Sequence, residues 1–438
     1  MSARLRTCSW LFVAGLSGSI AACFGGSGTI GAVCFADNQC GLDQTCTNSI
    51  CGQCNDRVIQ PGELCFGNSS EENVFGEVAD LLAYDPEGDG FPLLLAMVNN
   101  NCLPPPMQGP PTMGQPACWD LYALLIDDDG DFEAMTPLED TNDGRVPQLG
   151  AGNFDGVGVQ DIAMAVNPND PLADPTAIAV VFNLFGSPQQ VFFDISVQAR
   201  TLHAADMNGD GLDDLLVGGE ASSALVLFLA NPSEAVGFDT ERLLVTDPAP
   251  RPAAPVDMDN DGDLDVVLLS ATEGTLGVDL NDGSGNLSAQ SRVTVVEGAG
   301  LTAQEVDTAD FDQDGNVDAV VYISAGPAAN QESEVRVYRG LGDGTFELDQ
   351  TLPGGEFPVS GLAEDVNHDG WVDIVVADIQ EDKLPVHINR QGEFPDIVNI
   401  DVAAAPQRLM YADFDFDDIP DLVVGNANGV VAVVPSEN

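Results

Sequence analysis

Nine consecutive residues, Asp257-Met258-Asp259-Asn260-Asp261-Gly262-Asp263-Leu264-Asp265, put carboxylates at the first, third, fifth and ninth positions of one short loop. Like charges crowded this closely repel one another, and the arrangement makes chemical sense around a hard divalent cation with oxygen ligands. The loop therefore reads as a calcium site, and Gly262 at its sixth position supplies the sharp turn such a loop needs.

The same register returns along the chain. It is complete at Asp206, Asn208, Asp210, Gly211 and Asp214, at Asp310, Asp312, Asp314, Gly315 and Asp318, and at Asp365, Asn367, Asp369, Gly370 and Asp373. A copy at Asp413, Asp415, Asp417 and Asp421 has Asp418 in the glycine slot, which predicts a weaker site. Two worn copies lie upstream. Asn153, Asp155, Val157, Gly158 and Asp161 lack the fifth-position ligand, and Asp85, Glu87, Asp89, Gly90 and Leu93 lack the ninth. First positions 85, 153, 206, 257, 310, 365 and 413 follow one another at about fifty residues after a first interval of about seventy, the mark of a repeat architecture.

The flanks decide what kind of loop this is. An EF-hand needs a bidentate Glu at position twelve and helices on either side, but position twelve is Val217, Leu268, Val321, Val376 and Val424. These residues belong to short β-branched and Leu-rich runs, so the loops join strands. Repeat five shows the internal order: Gln304 to Thr308, the Asp310 loop, Ala319 to Tyr322, a variable stretch, Glu334 to Arg339, the turn Gly340 to Gly344, and Thr345 to Leu348. Four antiparallel strands repeated seven times predict an all-β fold, a seven-bladed β-propeller whose second strands are apolar on both faces because each blade is sandwiched by two others. Repeat seven ends at Asn438 without a fourth strand, and Arg57 to Gly67 is expected to supply it and close the ring.

From about Val78 to Val434 these residues resemble the FG-GAP or VCBS repeat family, whose propellers include the integrin α-subunit head. The resemblance rests on the DxDxDGxxD loop, the strand that follows it and the Gly-rich third turn. It implies calcium between the first and second strands of a blade, bound by positions one, three, five and nine and the carbonyl at seven. The implied ligands are Asp206, Asn208, Asp210 and Asp214; Asp257, Asp259, Asp261 and Asp265; Asp310, Asp312, Asp314 and Asp318; Asp365, Asn367, Asp369 and Asp373; and, in the weaker site, Asp413, Asp415, Asp417 and Asp421. It also implies that ligands meet the face opposite these loops, which points to the Cys102 to Cys118 insert, Asn167 to Pro175 and Ser324 to Ser333.

Upstream, the chain divides into an export signal (1–22), a flexible Gly-rich tether (23–33) and a Cys-rich module (34–65), with the propeller assigned to 57–438. Arg4 and Arg6 precede an apolar stretch, Trp10 to Ala22, that is too short to span a bilayer. Ile20-Ala21-Ala22-Cys23 resembles the bacterial lipobox, which implies cleavage before Cys23 and lipidation of its thiol; Phe24 in place of an Asp resembles lipoproteins sorted to the outer membrane of Gram-negative cells. Eight further cysteines remain in an exported chain, Cys34, Cys40, Cys46, Cys51, Cys54, Cys65, Cys102 and Cys118, and they read as structural disulfides of open pairing. Cys102 and Cys118 bracket a Pro-rich insert that they are expected to close on itself.

With 71 acidic against 13 basic residues the formal net charge is −58, more than five calcium ions offset, so nucleic acid and anionic membrane surfaces are repelled. The membrane is expected to be reached only through the lipid. No GxSxG, P-loop, HExxH or dinucleotide fingerprint is present, and the expectation is a protein that is not an enzyme. The expected role is a surface-exposed binding or adhesion module for a protein or glycan. A polysaccharide lyase, with His203, His368 or a tyrosine as base, is the alternative, and a structural envelope protein the third. Mass spectrometry of the native protein should find a lipid-modified N-terminus at Cys23; an unmodified N-terminus at another residue would remove the anchor.

Overall fold

A run such as Val266-Val267-Leu268-Leu269 cannot sit at a surface, and in the computed structural model of the protein every second strand of a blade is buried on both faces. The structure describes residues 45–47, 50–52, 70–74, 77–85, 92–100, 118–126, 132–141, 148–157, 160–166, 176–184, 189–219, 224–234, 237–296, 300–326, 332–414 and 419–434. Their strands form seven four-stranded antiparallel sheets and one two-stranded pair, Thr45–Thr47 with Ile50–Gly52. Cys46 and Cys51 are register partners in that pair. Cys23, Cys34, Cys40, Cys54, Cys65 and Cys102 lie outside the described residues, while Cys118 begins a strand.

Each sheet is one blade. Blade one comprises Glu77–Tyr84, Leu93–Asn100, Cys118–Ile126 and Phe132–Thr141. Blades two to six repeat that meander, with first strands Leu149–Gly152, Ala199–Ala205, Pro250–Pro252, Leu301–Ala309 and Pro358–Glu364. Blade seven pairs Pro406–Ala412, Asp421–Asn426 and Val430–Val434 with Ser70–Asn73. Closure by an upstream strand is thus as expected, but it is made by 70–73. The segment Arg57 to Gly67, named from sequence, lies outside the described residues. The physical reason for the shift is that the short acidic stretch Ser70-Glu71-Glu72-Asn73 needs only one covered face at the rim, and it leads directly into buried Val74.

The apolar side chains form seven clusters, each between two successive blades. Phe311, Val320 and Tyr322 of blade five pack on Ile374, Val376 and Phe394 of blade six. The ring closes where Val74, Val423, Val431 and Val433 of blade seven meet Val78, Leu81 and Leu94 of blade one. Each fully buried aliphatic side chain contributes about 1.5–3 kcal/mol, so an uncovered blade face would forfeit several such terms. Outer strands are covered on one face only and alternate accordingly: Glu393–Asp401 reads exposed and buried in near-regular turn.

First strands face one another around the central axis. Five of them carry a register irregularity at the same place, between Val78 and Asp80, Ala199 and Thr201, Ala303 and Glu305, Pro358 and Ser360, and Pro406 and Arg408. A bulge of this kind re-aims side chains, here toward the channel. Blade four has the shortest first strand, because Pro250 and Pro252 lack N–H donors and are tolerated only at a sheet edge. A chain starting at residue 77 should melt several degrees below one starting at residue 70, since it bares the Val430–Val434 edge; equal melting temperatures by circular dichroism would show that 70–73 does not close the ring.

Candidate functional site

Every complete acidic loop follows one local plan. The first-position carboxylate gathers backbone N–H groups from the turn it starts: Asp206 Oδ2 accepts from Gly211 N at 2.8 Å, and Asp257, Asp310 and Asp365 do the same with Gly262, Gly315 and Gly370. The fifth-position Oδ1 accepts from position seven, as Asp261 does from Asp263 N at 3.0 Å. The sixth-position glycines have φ between 88 and 98°. Position four is also left-handed, at Gly209, Asn260, Gln313 and His368, a feature no sequence pattern announced because four different residues fill it.

The ninth position has a second job that sequence reasoning missed. Asp214, Asp265, Asp318, Asp373 and Asp421 are almost fully buried. Asp265 Oδ2 accepts from Met258 N at 2.8 Å and Oδ1 from Asn281 N, also at 2.8 Å, so one carboxylate ties the loop to the end of the third strand. Asp214 and Asp318 are bonded in the same way, to Met207 and Ala230 and to Phe311 and Gly340. Even worn loop two keeps this device, with Asp161 accepting from Phe154 and Asn183.

Neighbouring loops are also joined to one another. Asn260 Nδ2 donates to Asn316 Oδ1 across blades four and five, Gln313 Nε2 donates to Gly370 O across five and six, and across two and three Asn153 N donates to Asp213 Oδ2 while Asp213 N donates to Asn153 O. The acidic loops thus form a belt on one face of the ring. Asp257, Asp259 and Asp265 bring carboxylate oxygens within 4.8 Å of one another, and so do Asp310, Asp312 and Asp314. Asp261 and Asp318 stand outside those triplets. The carboxylates of the Asp206 and Asp365 loops do not gather as tightly, and both of these loops have Asn in the third position. Of the seventh loop, Asp413 and Asp421 are described, whereas Asp415 and Asp417 lie outside the described residues, as do Glu87 and Asp89 of the first.

The donor set fits a hard cation. Asp259 Oδ1 and Asp373 Oδ2 are buried without a hydrogen-bond partner; in the latter loop Val366 N turns to Glu364 O instead. Buried carboxylate oxygens left unsatisfied are costly, and an oxygen-coordinated cation satisfies them. Burial, then the charges of Asp261 and Asp257, raise Asp259; burial raises Asp318 to about 6 and Asp214 to about 7, with the neighbouring loop carboxylates adding to both. These shifts measure how poorly the loops tolerate their own charge.

The channel mouth on the opposite face is a second polar site. First strands bring Arg200, Arg251, Arg408, His203, Glu305 and Asp307 around one cavity of about 200 Å³. His203 Nε2–H donates to Pro252 O at 3.1 Å, and burial pulls its pKa down to about 4, so the ring is neutral. Burial pushes Glu305 up to about 7, opposed by Arg408. Glu305 and Asp307 are half-buried and line this cavity. His368 lies on the loop face, its Nε2 3.4 Å from Tyr411 Oη, and His387 is buried inside blade six. The three histidines therefore do not converge.

Residues 206–268, 257–321, 323–376 and 365–424 each match the FG-GAP-like repeat. No curated protein matches the sequence. Among solved structures, the chain resembles BBS1N in complex with ARL6DN soaked with mercury, at TM-score 0.56 and 12% identity over 85% of this chain and 97% of that one. The lead-soaked form of the same complex gives TM-score 0.52 and 12% identity over 84% and 95%. The periplasmic gluconolactonase PpgL of Pseudomonas aeruginosa gives TM-score 0.51 and 13% identity over 76% and 98%. At these identities the likeness is one of fold.

Two outcomes follow from this geometry. Asp265→Asn replaces one of two required acceptors with a donor facing an N–H, and should cost about 1–3 kcal/mol in urea unfolding even with chelator present. For Glu305→Gln the expected readout is pH. A folded-state pKa of about 7 against an ordinary 4.5 means the wild-type carboxyl stabilises the fold below 4.5 and loses that contribution as pH rises to about 7. The variant should therefore gain on wild type across that window and run parallel above it; a constant difference would contradict the assignment.

Proposed function

Because the chain belongs to the FG-GAP-like repeat family, we propose that it is a calcium-braced, lipid-anchored propeller displayed at the cell surface as a binding or adhesion module for a protein or glycan. The observation that carries the calcium reading is the pair of buried, unpartnered carboxylate oxygens, Asp259 Oδ1 and Asp373 Oδ2, inside loops of the repeat's acidic register. Calcium, with its six to eight oxygen ligands and flexible geometry, suits carboxylates spaced by a turn better than smaller, strictly octahedral magnesium does.

The ion's role in this reading is structural. It binds where first and second strands join, on loops that already hold one another across blades, and so stabilises the folded ring without taking part in chemistry. That leaves the opposite face, where the loops between second and third strands and between blades emerge, as the ligand-binding side. Of the segments expected there from sequence, 102–117, 167–175 and 327–331 lie outside the described residues. Net charge argues for a partner that is basic or uncharged over its outer contacts and against nucleic acid. A lyase reading would rest on the His368 and Tyr411 pair, and release of unsaturated products from acidic polysaccharide would favour it over pure binding.

Calorimetry on chelator-treated protein should show calcium uptake at four or five sites, with a higher melting temperature in calcium than in chelator. Each site held at about a hundred times its dissociation constant adds about 2.7 kcal/mol by linkage. No heat of binding and no shift in melting would overturn the calcium reading. A glycan array and cross-linking to intact cell surfaces test the module itself, which falls if neither yields a saturable partner.

A further inference from the structure

Three of the chain's 13 basic residues, Arg200, Arg251 and Arg408, meet at one cavity although they come from blades three, four and seven. Most of the described basic residues elsewhere are spent in ion pairs within the blades, such as Arg292 with Asp247 and Asp279, or Arg390 with Asp396. In a protein of net charge −58, gathering cations inside a channel needs a reason.

The guanidiniums are held in place by backbone carbonyls. Arg408 Nε donates to Ala79 O at 2.8 Å and its Nη1 to Gln407 O at 2.9 Å, while Arg251 Nη1 donates to Ala303 O at 3.1 Å and to Gln304 O. The charge of Arg408 acts on Asp80 and on Glu305. The two acids that line the cavity, Asp307 and Glu305, are not equivalent. Asp307 accepts from Ala363 N at 3.0 Å and from Thr308 N. Glu305, half-buried and lining the cavity, accepts no hydrogen bond from any described residue; the charges of Arg408 and Arg251 favour its ionised form and those of Asp307 and Asp80 oppose it. A half-buried carboxylate in this state has room for a donor.

The geometry points to a small hydroxylated carboxylate of monosaccharide size, a uronic acid, as the ligand of this channel mouth: its carboxylate would pair with Arg251 and Arg408, and its hydroxyls would donate to Glu305. Guanidinium and carboxylate match as planar, charge-assisted partners. A hydroxyl is the donor that Glu305 lacks and that a fully deprotonated anion such as sulfate cannot offer. The cavity, about 200 Å³, is below the range of drug-sized pockets and excludes an extended chain, so one terminal or protruding sugar is the unit recognised. Long-range repulsion from the acidic surface is cut at ~0.15 M salt, where the Debye length is about 8 Å.

This inference rests on the binding-module reading and deepens it. The test is calorimetry on the calcium-loaded mature chain with D-glucuronate, D-glucose, glycine and sulfate at that salt. Saturable 1:1 binding of glucuronate, at least tenfold tighter than the other three, is expected. Arg251→Gln should weaken it at least tenfold; Arg200→Gln, at the exposed mouth, carries the same expectation should the first variant fail to fold. Glu305→Gln should weaken glucuronate but not sulfate, whereas a site for bare anions would respond in the opposite sense, since a repelling charge is lost. No glucuronate binding, equal binding of glucose, glycine or sulfate, or arginine variants of unchanged affinity would each overturn the inference. A partner found on arrays or cells in that event would leave the module reading standing without this site.

Discussion

A blade whose middle strands are apolar on both faces must be covered twice, and only a closed ring covers every blade twice. Among the described residues, seven apolar clusters, one between each pair of neighbours, are that constraint made visible, and none of them forms a common centre. Stability is therefore passed from blade to blade, as in other repeat proteins, but with the two ends joined. The joint is specific: Ser70–Asn73 pairs with Val430–Val434, Gln407 reaches Val78 O, and Arg408 reaches Ala79 O. Polar side chains at this junction fix which blade faces which, a task that interchangeable valines could not perform alone.

Closure also gives the molecule two unlike ends. First strands all run the same way along the axis, so their exits collect the acidic loops on one face and their entrances collect the bulged, polar residues on the other. The loop face is a belt in which the first-position carboxylates hold the turn, and the ninth-position aspartates hold the loop to the third strand. That structural use explains how a worn loop survives. Loop two has lost its fifth-position acid to Val157, but Asp161 still staples Phe154 to Asn183.

The channel follows a different logic. Gly361 shows how tightly its wall is built, because an added Cβ there would lie 2.0 Å from the Tyr322 ring. Of the side chains that line it, Arg200 and Glu305 sit at first-strand bulges, whereas Arg251 reaches in from a regular strand. Arginines from three blades and an unpartnered glutamate from a fourth therefore share a space that none of their local sequences describes.

Much of this is legible in the amino-acid sequence alone. Strand identity, turn chemistry and the acidic register depend on residues within about ten positions of one another, where period-two burial and left-handed glycines leave direct marks. Their recurrence at about fifty residues then implies the number of blades and the ring. The folded chain alone decided that closure falls to Ser70–Asn73 and not to the segment before it, that the ninth aspartate is a staple, and that Asn260 and Asn316 or Arg251 and Glu305 meet. Those outcomes depend on how far one blade turns against the next and where a bulge aims a side chain. Both are set by packing between residues about fifty or several hundred positions apart, which no local pattern carries.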